Sequence, residues 1–320
     1  MKRRQFITIL LATSAGAALL AYGLHTHFFT VDSSFPELIE LVPANSTFVA
    51  YVNLAELRKE PLILNLAALA APVAVDRDYA EFISATGFDY RRDLDRVVFA
   101  SRTGQTFAIA DGRFDRTKIR EYALRTGKVE RQSDHDVYLM ESKTPGQTIS
   151  LAFLGRHRLA ITEGGDIAPY LTTPAAPLDA TMRQNLLRVA GSPAFAAWKI
   201  PDSPMGTMGG ATPFSFTLPA LQSLLGLDVA VKPEGEQMLI SAEGECKNAL
   251  EAQKLAAGLT FLQTVLPLGL ANHSQKQISA ENAALAVRLI HAAAINADGE
   301  RVRLLLRVTP DMIRDIVSAN

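Results

Sequence analysis

The chain has 320 residues, with 32 Lys and Arg against 33 Asp and Glu and a formal net charge of −1. This length suits two average domains, and the balanced charge argues against a nucleic-acid-binding protein, which needs a basic surface. The single cysteine, Cys246, excludes a disulfide within the chain and a zinc site built on cysteines. Apolar residues make up 48% of the chain, which is typical of a globular protein.

The first 31 residues contain the clearest sequence pattern. Lys2, Arg3 and Arg4 precede a run from Gln5 to Val31 that has no Asp, Glu, Lys or Arg. Within it, residues 6–24 as a helix would measure roughly 28 Å, close to the thickness of the hydrocarbon core of a bilayer. Basic residues before the apolar run favour an anchor that leaves the rest of the chain outside the cytoplasm. The residues predicted to lie in the membrane are Phe6, Ile7, Ile9, Leu10, Leu11, Leu19, Leu20, Tyr22 and Leu24.

The same segment also fits a cleaved secretory signal, with small residues at Ala15-Gly16-Ala17 and Ala21-Tyr22-Gly23 as candidate cleavage sites. Arg3-Arg4-Gln5-Phe6-Ile7 resembles the twin-arginine export signal, in which two arginines and any residue precede an apolar pair. That pattern has Ser or Thr before the arginines and Lys after the apolar pair, where this chain has Lys2 and Thr8. The resemblance implies export in a folded state. We expect a protein of the inner (plasma) membrane with its bulk in the periplasm or extracellular space, or a secreted protein if the signal is cleaved.

An internal duplication is the main architectural pattern. Residues 97–112 and 229–244 align without a gap at an offset of 132, and each predicts a β-hairpin followed by a glycine and a helix. Asp115 and Asn248 are expected to cap those helices. Upstream, the short apolar strand 47–51 aligns with 194–198, which matches Phe48 to Phe195 and Tyr51 to Trp198.

Each half therefore runs strand, helix, hairpin, helix, hairpin, helix, and the core of that order is β-α-β-β-α-β. We predict an α+β protein built from two tandem pseudo-repeats of split-βαβ (ferredoxin-like) type, with a mainly antiparallel sheet after one N-terminal apolar helix. The predicted units are an anchor (1–31), a first repeat (32–173), a linker helix (174–191) and a second repeat (192–320). The halves can meet through helices, through sheet faces or in one continuous sheet, and the sequence leaves all three open.

Catalytic and metal-binding motifs are missing from the sequence. It has no G-x-S-x-G, H-E-x-x-H or EF-hand spacing, so we predict no catalytic residue, no metal site and no cofactor. Asp134-His135-Asp136 contains metal-ligand residue types, but neighbouring strand residues point to opposite faces, and we predict a turn there. Met205 and Met208 are soft ligands of the kind that Cu(I) prefers, although two methionines alone make a weak case.

Two apolar segments carry no formal charge, Pro61–Val75 and Leu255–Leu270. Helices that are apolar on all sides are usually buried on several of them, so burial between the halves is one interpretation. The other is contact with a partner protein, a lipid chain or the membrane, although both segments are short for a membrane span. The residues predicted for such a partner or ligand surface are Leu62, Leu66, Leu69, Leu255, Leu259, Leu262, Leu266, Met205 and Met208.

Together these features predict an exported, membrane-anchored, non-enzymatic interaction or scaffold domain, for example an accessory subunit of a membrane protein complex. The expected partners are the lipid bilayer, through the N-terminal helix, and a protein, with no nucleic acid. The alternative is a periplasmic carrier or sensor of an apolar ligand such as a lipid, held between the halves and gated by residues 201–213. An enzyme whose site is assembled from dispersed residues is a third hypothesis.

Overall fold

Helices and one large sheet make up the described part of the chain. The structure, a computed structural model, describes residues 35–60, 77–102, 105–142, 146–171, 178–200, 223–273 and 287–312. The predicted anchor over residues 1–31 and the predicted loop over residues 201–213 lie outside these ranges.

Within the described ranges, twelve strands form the sheet. In chain order the strands are β1 (Phe48–Asn53), β2 (Leu94–Arg102), β3 (Gln105–Gly112), β4 (Gly127–Gln132), β5 (His135–Glu141), β6 (Thr148–Phe153), β7 (Arg158–Glu163), β8 (Ala194–Lys199), β9 (Leu224–Glu234), β10 (Gln237–Cys246), β11 (Ala293–Asp298) and β12 (Arg301–Val308). The helices are α1 (Phe35–Ile39), α2 (Leu54–Leu57), α3 (Arg77–Thr86), α4 (Tyr90–Asp93), α5 (Arg116–Thr126), α6 (Ala180–Val189) and α7 (Ala249–His273), with a 3-10 turn at Ala168–Tyr170.

Across the sheet the strand order is β11-β12-β10-β9-β8-β1-β2-β3-β7-β6-β5-β4, and every described pair is antiparallel. The predicted α+β class with a mainly antiparallel sheet is therefore confirmed. A βαβ unit places two parallel strands around a crossover helix, and no described strands pair in parallel. The ferredoxin-like part of the prediction is therefore not confirmed.

The two halves of the chain meet at one strand pair in the middle of the sheet. β1 of the first half pairs antiparallel with β8 of the second, so a single continuous sheet runs through both. Counted outward from this joint, the order is β1-β2-β3-β7-β6-β5-β4 on one side and β8-β9-β10-β12-β11 on the other. When β4 and β5 are left out, the chain passes through the five strands of each side in the same order.

The registers correct one detail of the sequence alignment. Tyr51 lies opposite Val98 in β2 and Phe195 lies opposite Ala230 in β9, and Val98 and Ala230 are separated by the same 132 residues as the hairpins. Tyr51 therefore corresponds to Phe195, and the match of Phe48 to Phe195 is wrong by three residues. The alignment followed the spacing of aromatic residues, whereas the ladder hydrogen bonds determine which residues are equivalent.

Tyr51 and Phe195 also lie directly opposite each other across the joint, with ring centroids 5.1 Å apart. They point to one face of the sheet, here called the α6 face, where they pack with Met182 and Leu186 of α6 in a cluster that draws on both halves. The predicted linker helix thus lies in the shared core. Val52 and Ala194 point to the opposite α7 face, where they pack with Leu57 of α2.

Burial follows the position of each strand. β1, at the centre, is buried on both faces along most of its length, whereas most residues of the edge strand β4 are exposed. In the first half, β4 and β5 form an additional hairpin between α5 and β6. Their turn has positive φ at Ser133 and Asp134, the conformation of a type I′ hairpin, so the predicted turn at residues 134–136 is confirmed at its first residue.

Candidate functional site

Helix α7 contains the apolar segment that the sequence singled out. The side chain of Asn248 accepts a hydrogen bond from the Glu251 amide at 2.9 Å, which confirms the predicted cap. The helix extends to His273, and its backbone continues through Pro267. Among the described residues, no helix combines the length and the hydropathy that a membrane crossing needs.

One side of α7 packs on the sheet. Leu255 is 2% exposed and packs with Leu224, Cys246 and Val302, and Leu259 packs against the same cluster. Leu262 is half-buried. The side-chain amide of Gln263 donates to the backbone oxygens of Ile290 and Ala293 at 2.8 and 2.6 Å, which ties α7 to the start of β11.

The opposite side of α7 carries apolar side chains into solvent. Phe261 is 64% exposed, Leu250 is 59% exposed and Val265 is 39% exposed, and Ala257 is also exposed. The spacing of these residues places them in one stripe along the helix. We call the residues Leu250, Ala257, Phe261 and Val265 the α7 stripe.

Part of the predicted partner surface is therefore buried. Leu255 and Leu259 pack in the core, and the α7 stripe contains exposed apolar residues on the other side of the same helix. Periodicity missed this division because the segment is apolar on all sides, and only packing shows which side meets the sheet. The backbone of α7 passes through Leu266, and the remaining predicted residues lie outside the described ranges: Leu62, Leu66, Leu69, Met205 and Met208.

A charged cluster occupies the α6 face of the second half. Arg188 of α6 donates to Asp228 Oδ2 of β9 at 2.9 Å and to Asn185 Oδ1 at 2.9 Å. On β12, Arg301 donates to Glu243 Oε1 at 3.1 Å, and Arg303 donates to Glu243 Oε2 at 2.8 Å.

The pKa values of the two carboxylates in this cluster are shifted in opposite directions. Asp228 is 2% exposed, and no described group donates to its Oδ1. Burial raises the pKa of Asp228 to about 6, against the opposing effect of the nearby Arg188. Burial would also raise the pKa of Glu243, but hydrogen bonds from Arg303 and the charges of Arg303, Arg301 and Arg188 hold it below its ordinary value.

This cluster is suited to holding α6 on the sheet rather than to chemistry. Its three guanidinium groups face the carboxylates of Asp228, Glu243 and the neighbouring Glu245, so the charges nearly balance. Sequence reasoning missed it because the participants are dispersed along the chain. The available clue was that the hairpin alignment matches Asp111 to Glu243.

Histidine and pocket geometry give no sign of catalysis in the described residues. Among them, no group of three or more His, Cys, Asp and Glu is placed to hold a metal ion. His135 Nδ1 lies 3.1 Å from the Phe153 backbone oxygen, which is a structural contact. A pocket beside Arg102, Gln105 and Tyr170 has a volume of about 10 Å³, which is room for about one water molecule.

Comparison with known proteins adds a similarity of fold. No protein-family profile matches the chain, and no curated protein matches it. The chain is similar to solved structures of TP0453. The match to crystal form III is 11% identical, covers 88% of this chain and 98% of that chain, and has a TM-score of 0.46. The match to crystal form I is 10% identical, covers 88% and 96%, and has a TM-score of 0.44.

Proposed function

We propose that this chain is an exported, membrane-anchored, non-enzymatic interaction module, an accessory subunit whose α7 stripe binds a partner protein. The observation that carries this proposal is the exposure of Phe261 and its apolar neighbours on a helix whose other side is firmly packed. Contiguous exposed apolar surface is a mark of interaction sites. The N-terminal sequence, basic and then apolar, supports the location.

The proposal includes an architecture of two pseudo-repeats. The best support is a cross-strand ion pair that occurs at equivalent positions in both halves. Arg158 Nε donates to Asp111 Oδ1 at 2.7 Å, and Arg303 Nη2 donates to Glu243 Oε2 at 2.8 Å, each across a directly opposed pair of residues. Asp111 and Glu243 are 132 residues apart in the aligned hairpins.

A glycine follows each of these acids. A Cβ on Gly112 would collide with the Asp93 backbone oxygen, whereas a Cβ on Gly244 would meet the end of the flexible Leu224 side chain at 2.7 Å. Equivalent ion pairs, each followed by a glycine at the equivalent position, favour a duplicated unit over two unrelated α+β segments.

A scaffold is favoured over a lipid carrier by the joint between the halves. There Tyr51 and Phe195 are each 1% exposed and pack with Met182. A carrier needs an apolar cavity of a few hundred Å³, and the joint is filled with side chains. The carrier therefore remains the second candidate, and it would need space formed by parts of the chain outside the described ranges.

Site-specific photocrosslinking in native membranes tests the proposal. A photoreactive amino acid replaces Phe261 in the full chain, and a matched variant carries it at Val129, which is 40% exposed on the edge strand β4. We expect one protein adduct of discrete mass from position 261 and none from position 129, because only the α7 stripe is proposed to meet the partner.

Two results would contradict the proposal. Adducts to lipid alone at position 261 would favour the carrier or a membrane-facing helix. A full chain that migrates as a lone species on native gels, with no adduct at either position, would reject a partner protein altogether.

A further inference from the structure

The two edges of the sheet differ in how they are protected. An edge strand exposes unpaired backbone groups, and proteins commonly shield such edges with charged side chains. The edge strand β4 carries Lys128, Glu130 and Arg131. The edge strand β11 has the sequence AAINAD and has no charge before Asp298 at its end.

The corresponding strand of the first half shows what the β11 edge lacks. Ala152 of β6 lies opposite Ala160 of β7, and Ala294 of β11 lies opposite Leu305 of β12, which are equivalent positions through the aligned hairpins. On its outer side, Ala152 is paired with Val137 of β5. Among the described strands, none pairs with the outer side of β11. Within the described part of the chain, the outer side of β11 is therefore unpaired, whereas β6 in the first half is followed by the two further strands β5 and β4.

We propose that β11 pairs antiparallel with β11 of a second copy of this chain, forming a symmetric dimer in which the sheet continues from one copy into the other. This proposal rests on the two-repeat architecture proposed above, but not on the partner-binding role of the α7 stripe, which is a different surface. A twofold interface uses the same residues on both copies, so the strand must be compatible with itself.

The sequence of β11 meets that condition. With Ile295 opposite Ile295 of the second copy, Ala293 faces Ala297 and Ala294 faces Asn296, so small side chains flank an apolar pair. No like charges oppose each other in this register, whereas such pairs are destabilising in a sheet. Ile295 is only half-buried against α7 and Val302, so the pairing would cover more of its apolar surface.

The chain already contains a joint of this kind. β1 and β8 are equivalent strands of the two halves, and they pair antiparallel with Tyr51 directly opposite Phe195. A twofold β11 joint repeats that arrangement at the free end of the second half. The Gln263 side chain, which holds the Ile290 and Ala293 backbone oxygens, fixes the start of the strand for pairing.

The test is the oligomeric state of the full chain in detergent micelles, measured by native mass spectrometry over a range of protein concentrations. We expect dimers for the unmodified chain. Ala294→Lys places a charge on an exposed position of β11 without removing a core contact. We expect it to weaken the dimer at least about tenfold, because the two lysines are like-charged diagonal neighbours on one face of the joint and each faces Asn296 of the other copy. The matched change Val129→Lys on β4 should leave the dimer unchanged.

A charge-complementation experiment separates pairing through β11 from misfolding. Mixing the Ala294→Lys chain with an Ala294→Glu chain should restore a dimer that contains one copy of each. A monomeric unmodified chain overturns the proposal. So does a dimer that survives Ala294→Lys unchanged, or one that is lost with Phe261→Ser instead, because the interface would then lie elsewhere.

Discussion

At the scale of single residues, the buried carboxylate of Asp228 is the least expected feature. It lies beneath α6 with Arg188 as its charged neighbour and one oxygen without a described partner. A carboxyl group whose pKa is higher in the folded than in the unfolded state stabilises the fold when protonated. Glu243, whose pKa is held low by Arg303, instead stabilises the fold when it is ionised. The neighbouring titratable and charged groups are Glu243, Glu245, Arg188, Arg301 and Arg303.

The first prediction concerns Asp228→Asn. The folded state keeps the proton of Asp228 up to a pH of about 6, while the unfolded state releases it near pH 4. The contribution of Asp228 to the free energy of unfolding therefore falls as the pH rises through that window. We expect the variant to lack this fall and to be more stable at pH 7 by about 1–3 kcal/mol.

Urea unfolding between pH 4 and pH 8 measures this effect, followed by the fluorescence of Trp198, the single tryptophan. Glu243→Gln is the matched control, and it should lose stability at neutral pH because its ionised form is the one that the arginines stabilise. Parallel stability curves for Asp228→Asn and the unmodified chain would show that the carboxyl group is not perturbed.

At the scale of elements, α7 is a helix whose buried side cannot be identified from the sequence. The sequence predicts its cap at Asn248 and its apolar character. The sequence does not show which of its leucines are buried, because the segment is apolar on every side. The sheet beneath supplies the answer by packing Leu255 and leaving Phe261 outside.

The second prediction compares Leu255→Ala with Phe261→Ala. Removing the buried leucine leaves a cavity against Leu224 and Val302, which should lower the free energy of unfolding by about 2–5 kcal/mol. Removing the exposed phenylalanine should change it by less than about 0.5 kcal/mol, while crosslinking from nearby Val265 to the partner is lost. Thermal denaturation and crosslinking yield give the two readouts. If Phe261→Ala destabilised the fold as much as Leu255→Ala does, the α7 stripe would be part of the core.

At the scale of the whole molecule, the continuous sheet makes the halves mutually dependent. Side chains of β1, β2 and β3 share one cluster with side chains of β8 and β9 beneath α6. Neither half can keep its part of this cluster without the other. The chain should therefore behave as one cooperative unit rather than as two domains joined by a linker.

The third prediction is a single unfolding transition. Calorimetric and van't Hoff enthalpies of the full chain should agree, because the shared cluster couples the halves. Phe195→Ala at the joint should lower the midpoint of the whole transition, with a cost of about 3–5 kcal/mol. As the matched control, Leu187→Ala, at a residue that is 56% exposed on α6, should leave the midpoint nearly unchanged. Two resolved transitions, with only one shifted by Phe195→Ala, would show that the halves fold separately.

The sequence alone determined the local elements. Alternating apolar residues, turn residues and caps predicted the hairpins and the starts of α5 and α7, because these features depend on neighbours a few residues apart. It also predicted a duplication, through the matched hairpins that end in Gly112 and Gly244. It could not align Tyr51 with Phe195, since that equivalence is fixed by hydrogen bonds to β2 and β9. Only the tertiary structure decided that the halves join edge to edge, that α6 belongs to the core and that none of the described strands pairs with the outer side of β11. Those outcomes depend on contacts between residues far apart in the chain, which local patterns do not encode.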